Sequence, residues 1–429
     1  MSTFHRPRTL IHAFLDLTQT LPSRFVRSRV WCPRSVMTWL LLVTLPDRKT
    51  CYRRSLRSLT FFGRHCFGWA KVPTLASISV ARRKLSVPMC RSFLHDIVRT
   101  CEAIMPVPAH GWGTRRFIAF DGSRLVTPRT GDTARKLHRF HRPDGSRVHN
   151  PQGLLVAAVD VFRRLPLDWI FTGKGVGEQT SMRELVARML WQPGDVAVMD
   201  RGFCSKKLFA ALIEKGVDII VRMSTSDAIA WREVQDFLGS KQKTATVTMT
   251  LQGAKAPITV RLRLVERDRK RGRPRKGCTP DRMVILTTLS EEEGFDRPAL
   301  ISLYAARWGI ESLFAEMKSF MEVESFHSGF VAGCEQEIAA AMIWMALGSF
   351  LQAEAERTLE NGRRVIRADC LRAASDLVSM LLQGHAIDQQ IHDDLEALRQ
   401  FAYLPKPGRH YPRECKSPHG RSIQRRAVK

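Results

Sequence analysis

The chain has 429 residues, 44% of them hydrophobic, enough for two or three domains and at least one sizeable core. Lysine and arginine outnumber aspartate and glutamate by 68 to 41, a formal charge of +27, which points to a polyanionic partner and to nucleic acid first. Ten cysteines stand singly without a Cys-x-x-Cys pair, and the longest apolar run, Met37 to Leu45, is short, so zinc, a disulfide framework and a membrane span are not indicated.

In chain order, residues 1–110 are mixed apolar and basic. "PTLASISVARRKL", Pro73 to Leu85, reads as a helix capped by Thr74 and running into Ala81, Arg82, Arg83 and Lys84; "RSFLHDIVRTCEAI" reads as a second. This N-terminal helical region fits either a DNA-binding module or a bundle with a solvated basic face. Residues 111–225 change pattern. "RRFIAFDG" is an apolar strand ending at Asp121 and Gly122, and "GLLVAAVDVF" and "PLDWIFTG" are two more, joined at "RRLP". The amphipathic helix "EQTSMRELVARML" leads to the buried strand "GDVAVMDRGF", which ends in Asp200. "SKKLFAALIEKG" is the next helix, closed by Gly216, and "VDIIVRM" the next strand. Three strands followed by helix, strand, helix and strand predict a mixed α/β sheet rather than a plain doubly wound one.

Residues 226–282 read as a β-rich insertion holding the charge run "RDRKRGRPRKG" from Arg267 to Gly277. Residues 283–330 resume the core with "RMVILTTLS" and one helix over about 297 to 321. Residues 331–404 form a C-terminal helical region. The tail, 405–429, carries eight Lys or Arg against Glu414 alone and is expected to be disordered. Reduced thiols and no recognisable export signal place the expected location in the cytoplasm, with no membrane partner.

Asp121 and Asp200 share a position, the C-terminal end of a buried strand, where open α/β sheets bind ligands. Asp followed by Gly or Arg-Gly also starts ordinary turns, and Asp160 after "LLVAAV" has similar credentials. The stretch "YAARWGIESLFAEMK" adds a third carboxylate. At about 100° per residue from Tyr304, Arg307 falls at about −60°, Glu311 at about −20° and Lys318 at about −40°, one stripe along the border of the apolar face. Glu316 falls at about 120°, on an expected solvated face. Either Arg307 and Glu311 are a plain i,i+4 pair, or Glu311 joins the strand-end aspartates. Three carboxylates brought together suit hard divalent cations such as Mg²⁺ or Mn²⁺. Two such ions suit phosphodiester chemistry. The flanking cations suit a phosphate backbone.

The pattern Y-x2-R-x3-E-x6-K, met by Tyr304, Arg307, Glu311 and Lys318, resembles the signature of the insertion-sequence-four family of DDE transposases. "IAFDGSRL" and "GDVAVMDRGFCSKKLFAAL" resemble that family's first and second Asp strands, in the same order. "ISVARRKL" resembles its N-terminal helical region, so the likeness covers roughly residues 70 to 350. It implies a ribonuclease H-like mixed-sheet catalytic core with a β-rich insertion, and Asp121, Asp200 and Glu311 as both catalytic and metal-binding residues. It implies cleavage at insertion-sequence ends with Mg²⁺ or Mn²⁺, two ions, and strand transfer into target DNA. Tyr304, Arg307 and Lys318 would hold the DNA end, and a homodimer would form in the synaptic complex. Some relatives cut through a DNA hairpin and stack a flipped base on a tryptophan near the insertion; Trp231 lies in that region and leaves this route open. Arg271-Gly272-Arg273-Pro274 resembles the core of an AT-hook for the minor groove, or is a solvated loop that touches phosphates. A DNA-end-binding protein without turnover, and a nuclease without strand transfer, are the alternative readings.

Overall fold

The computed structural model describes residues 31–46, 63, 69–71, 73–108, 111–140, 145–146, 148–226, 229–251, 257–267, 281–360, 362–382 and 385–405. Helices α1 (Pro33–Val43), α2 (Leu75–Lys84) and α3 (Val87–Ile104) precede the sheet. Strand β1 (Phe117–Val126) and the short α4 (Gly131–Lys136) lead to β2 (Gln152–Asp160) and β3 (Leu165–Thr172). Then follow α5 (Glu178–Arg188), β4 (Val196–Met199), α6 (Lys206–Ile213), β5 (Asp218–Met223), α7 (Arg232–Gly239), β6 (Thr244–Met249), β7 (Ile258–Arg267) and β8 (Asp281–Thr287). The chain ends in α8 (Arg297–Ala306), α9 (Trp308–Ser319), α10 (Val331–Glu356), α11 (Arg367–Leu382) and α12 (Asp388–Gln400).

One mixed sheet of eight strands has the order β3-β2-β1-β4-β5-β8-β7-β6. β1 pairs antiparallel with β2 and parallel with β4, which pairs parallel with β5. The long apolar runs in β2, β3 and β4 are buried on both faces, as strands between helical layers must be. β6 and β7 do not stand apart as a separate β unit. They extend the same sheet through β8, which pairs with both β5 and β7. Gly216 ends α6 with φ +72°, the left-handed conformation that glycine adopts without a Cβ penalty.

The apolar run at Met37 is α1, whose residues Val36 to Val43 are buried. Its Leu41 carbonyl accepts a hydrogen bond from Trp344 Nε1 of α10 at 3.3 Å. α10 is apolar all round, and it is buried along nearly its whole length because α1, α3, α11 and α12 and strand β3 pack against it. Thr74 caps α2, its side chain accepting from Ser77 N at 3.1 Å. The basic end of α2 is not uniformly solvated. Arg82 is 1% exposed and donates to Glu337 Oε1 (2.7 Å), Gln336 Oε1 (2.8 Å) and the Gly333 carbonyl (2.6 Å), all on α10. Arg83 and Lys84 remain exposed.

The expected single helix over 297–321 is two. The break falls at Arg307, which keeps helical angles (φ −49°, ψ −32°), while i→i+3 bonds from Arg307 N to Tyr304 O and from Ile310 N to Arg307 O tighten the turn. Glu316 is not on a solvated face. Its carboxylate pairs with Arg164 of the β2–β3 turn and with Arg367 of α11 (3.4 Å). Angular reading places a side chain on its own helix; it cannot see the arginines that neighbouring elements bring.

Candidate active site

Parallel pairing sets β1 and β4 in register, Phe117 opposite Val196 and Ala119 opposite Val198. The strand does not end at Asp121 as expected but runs on to Val126, because β2 pairs with it throughout; Asp121 stands mid-strand, just past the stretch paired with β4. Continuing the β4 register puts it level with Asp200 on the adjacent strand, roughly 4.8 Å away along the sheet and on the same face. Local hydrogen bonds fix both. Asp121 Oδ1 accepts from Gly122 N at 2.9 Å, and Asp200 Oδ1 from Gly202 N at 2.8 Å, where Asp200 caps the short 3-10 turn Arg201–Phe203. Asp160, the competing acid, is fully buried near the other end of β1, opposite Ile118. It accepts from Phe162 N, Arg163 N and Arg163 Nη1, so it closes the β2–β3 turn.

α9 brings Glu311 to this edge through Arg307. One guanidinium nitrogen lies 2.7 Å from Glu311 Oε1 and another 3.8 Å from Asp121 Oδ2, so the arginine bridges the helix to the strand. Arg307 and Tyr304 are buried, at 6% and 4% exposure, whereas Glu311 is half-exposed. Lys318 Nζ donates to the Arg124 carbonyl of β1 at 2.8 Å, tying the far end of α9 to the same strand. Arg271 and Arg273 lie outside the described residues.

Burial raises the Asp121 carboxyl above the usual range; the Gly122 amide and Arg307 oppose this, and Asp200 and Glu311 add to it. Arg307, which burial alone would push down, is held above the usual guanidinium value by its bond to Glu311 and by Tyr304 and Asp121. Burial also raises the Tyr304 phenol, with Arg307 opposing. Glu178 at the start of α5 belongs to the same field: burial raises its carboxyl first, then repulsion from Asp121 and Asp200. It was not singled out from the sequence, because an acid in the first turn of a helix is ordinary dipole chemistry. The available hint was Gly122 directly after Asp121.

A second unforeseen residue is Trp308, next to Arg307 and 59% exposed, with the Arg307 guanidinium 5.9 Å from its ring. Trp231 instead packs on Phe209 at 5.4 Å, with Lys206 Nζ 5.2 Å from its ring.

Among the described residues, no group of three or more Asp, Glu, His or Cys side chains stands close enough to hold a metal ion as arranged. The Arg307 guanidinium supplies the positive charge between Asp121 and Glu311. The donor chemistry nonetheless fits a hard cation: carboxylate oxygens only, from adjacent strands and a neighbouring helix, in mutual repulsion. Arg307 Nε is buried without a hydrogen-bond partner among the described residues, so the guanidinium is not fully satisfied by the carboxylates it bridges.

No curated protein matches the chain. A solved structure described as the piggyBac transposase synaptic complex with hairpin DNA aligns over 95% of this chain and 87% of its own, at 9% identity and a TM-score of 0.45, a likeness too low to establish a shared fold. The family described as "Transposase DDE domain" matches residues 112–346, more than half of the 429 residues and the span that holds Asp121, Asp200 and Glu311. The chain belongs to the transposase DDE domain family.

Proposed function

We propose that the protein is a transposase of the insertion-sequence-four type, which cleaves DNA at the ends of its element and joins them to target DNA. The observation that carries this reading is the placing of Asp121 and Asp200 level on adjacent parallel strands, with Glu311 tied to Asp121 through Arg307. The order β3-β2-β1-β4-β5, with β2 and β3 antiparallel and β4 and β5 parallel to β1, supports a ribonuclease H-like core.

Asp121, Asp200 and Glu311 would hold Mg²⁺ or Mn²⁺. Such an ion, when bound, supplies Lewis-acid activation of water and stabilises a leaving oxygen. The chain's own groups do the rest. The Gly122 and Gly202 amides hold the two aspartates in place before substrate arrives. Arg307, already charged and buried, stands ready to pair with a phosphate oxygen if a cation relieves it of Glu311. Tyr304 packs beneath that guanidinium, 5.9 Å from ring centre to Cζ, and limits its rotamers. Exposed Trp308 offers a stacking face beside the site, which suits it to an unpaired base better than the packed Trp231. Synapsis of two DNA ends would involve a homodimer.

The test is incubation of the purified protein with DNA carrying the element's ends, Mg²⁺ and a target plasmid. Cleaved and joined products are expected, and Asp200→Asn should reduce both to background while still binding end DNA. Cleavage without joining would assign a nuclease. Binding with no cleavage by either form would assign an end-binding protein.

A further inference from the structure

Arg164 is the last residue of the β2–β3 turn and has φ +56°, the left-handed region that glycine adopts freely and other residues seldom do. Strain of this kind persists where the surrounding structure holds it, and it clusters at working parts of a protein. The surroundings do hold Arg164. Its carbonyl accepts a hydrogen bond from Ser349 Oγ of α10 at 2.7 Å. Its guanidinium donates to Glu316 Oε1 of α9, the helix that carries Glu311. The same turn supports the start of α9, where a Cβ built on Gly309 would meet Val161 at 3.6 Å, ordinary contact distance.

Glu316 takes a second cation. Arg367 Nε of α11 lies 3.4 Å from Glu316 Oε2, and the same guanidinium donates to the Met345 carbonyl of α10 at 2.8 Å. Burial lowers the Arg367 guanidinium to about 10; Glu316 opposes this and Arg164 adds to it. Glu316 follows Glu311 by five residues, about 140° round the helix. α9 is therefore held on two sides. Arg307 ties the Glu311 side to Asp121, while Arg164 and Arg367 tie the other side to the turn and to α11. The Arg164 side chain is 33% exposed and that of Glu316 21%. A pair this open adds little to stability, so stability alone gives no reason for a side chain at a left-handed position.

We propose that Arg164 is a positioning residue for DNA cleavage, holding α9 through Glu316 so that Glu311 and Arg307 face Asp121. This role rests on the DNA-cleaving reading above. It lies outside the signature on α8 and α9, whose four residues include neither Arg164 nor Glu316.

The test compares Arg164→Gly, Arg164→Lys and Lys241→Gly with the wild type, on DNA carrying the element's ends with Mg²⁺. Glycine relieves the backbone while removing the side chain. Arg164→Gly should therefore keep or raise the urea midpoint and keep end binding, yet at saturating protein cut ~10- to 100-fold more slowly, the scale of a small misplacement at a reacting centre. Arg164→Lys restores a cation opposite Glu316 and should recover most of the rate. Lys241 is exposed and also left-handed, at φ +59°, just before β6 at the far edge of the sheet. Lys241→Gly gives the same backbone relief away from α9 and should leave the rate unchanged. Amide hydrogen exchange in α9 should quicken in Arg164→Gly and not in Lys241→Gly. A wild-type rate in Arg164→Gly, or a rate that falls only in step with its urea midpoint, overturns the role of Arg164 and leaves the transposase reading standing. No cleavage by the wild type overturns that reading, and unchanged α9 exchange in Arg164→Gly then overturns the hold on α9 as well.

Discussion

Glu335 shows what residue-level reading of a sequence misses. It lies in α10 near its start, and burial pushes its carboxyl up to about 7, although Arg91, Arg188 and Lys136 oppose this. The two arginines are already engaged, each 3.2 Å from Asp168, so Glu335 forms no ion pair of its own among the described residues. Between the usual value of 4.5 and about 7, the folded state holds a proton that the unfolded chain releases. That contribution to stability is complete below the lower value, falls as pH rises towards the upper one, and is absent above it. Glu335→Gln should remove this slope and raise stability at pH 8 by about 1–3 kcal/mol, while changing little at pH 4.5. Urea denaturation of both forms at the two pH values checks it; an equal effect at both would refute the assignment. Asp121 and Asp200 were legible because each follows an apolar run of buried strand, although β1 continues past Asp121 to Val126 and only Asp200 stands at a strand end. Glu178 and Glu335 were not, because their environments come from residues far away in the chain.

At the scale of elements, the period of the apolar residues and the caps carried most of the information. Thr74 before α2, Gly216 after α6 and the uninterrupted apolar strands are local signals with local causes, and the structure has each of them. The departures arise where another element intervenes. Arg307 breaks the helical hydrogen-bond ladder while tied to Glu311 one turn on and to Asp121 on a strand. Arg82 lies in a run of four residues, Ala81 to Lys84, that suggests a basic face, yet α10 buries it with a carboxylate, an amide oxygen and a backbone carbonyl as partners. Removing Arg82 takes one cation from the buried Glu337, which keeps its bonds from His327 N (3.0 Å) and Nδ1 (3.2 Å), so Arg82→Ala should cost about 3 kcal/mol, the lower end for a broken buried pair. A fall in the urea midpoint of that order is expected, and Arg83→Ala, on the exposed side, should shift it little. Equal effects would mean that α2 is not anchored through Arg82.

For the whole molecule, a charge of +27 predicts DNA binding that weakens steeply with salt, because phosphate contacts release condensed counterions. If the Arg271–Arg273 run touches DNA, replacing both arginines by alanine should reduce the magnitude of the log K against log salt slope by about 2. An unchanged slope would show that the run makes no phosphate contact. Composition and the strand and helix periodicities were enough, in the sequence alone, to indicate a mixed α/β protein with a polyanionic partner; the DDE transposase kind came from the resemblance carried by the Tyr304–Lys318 pattern and the segments around Asp121 and Asp200. Those signals are short-range, so they survive in one dimension. Only the tertiary structure decided that β6 and β7 join the main sheet, that Arg82 and Glu316 are bound partners rather than solvated charges, and that Glu178 joins the field of Asp121 and Asp200. Each depends on which distant residues meet, and that is set by packing rather than by spacing along the chain.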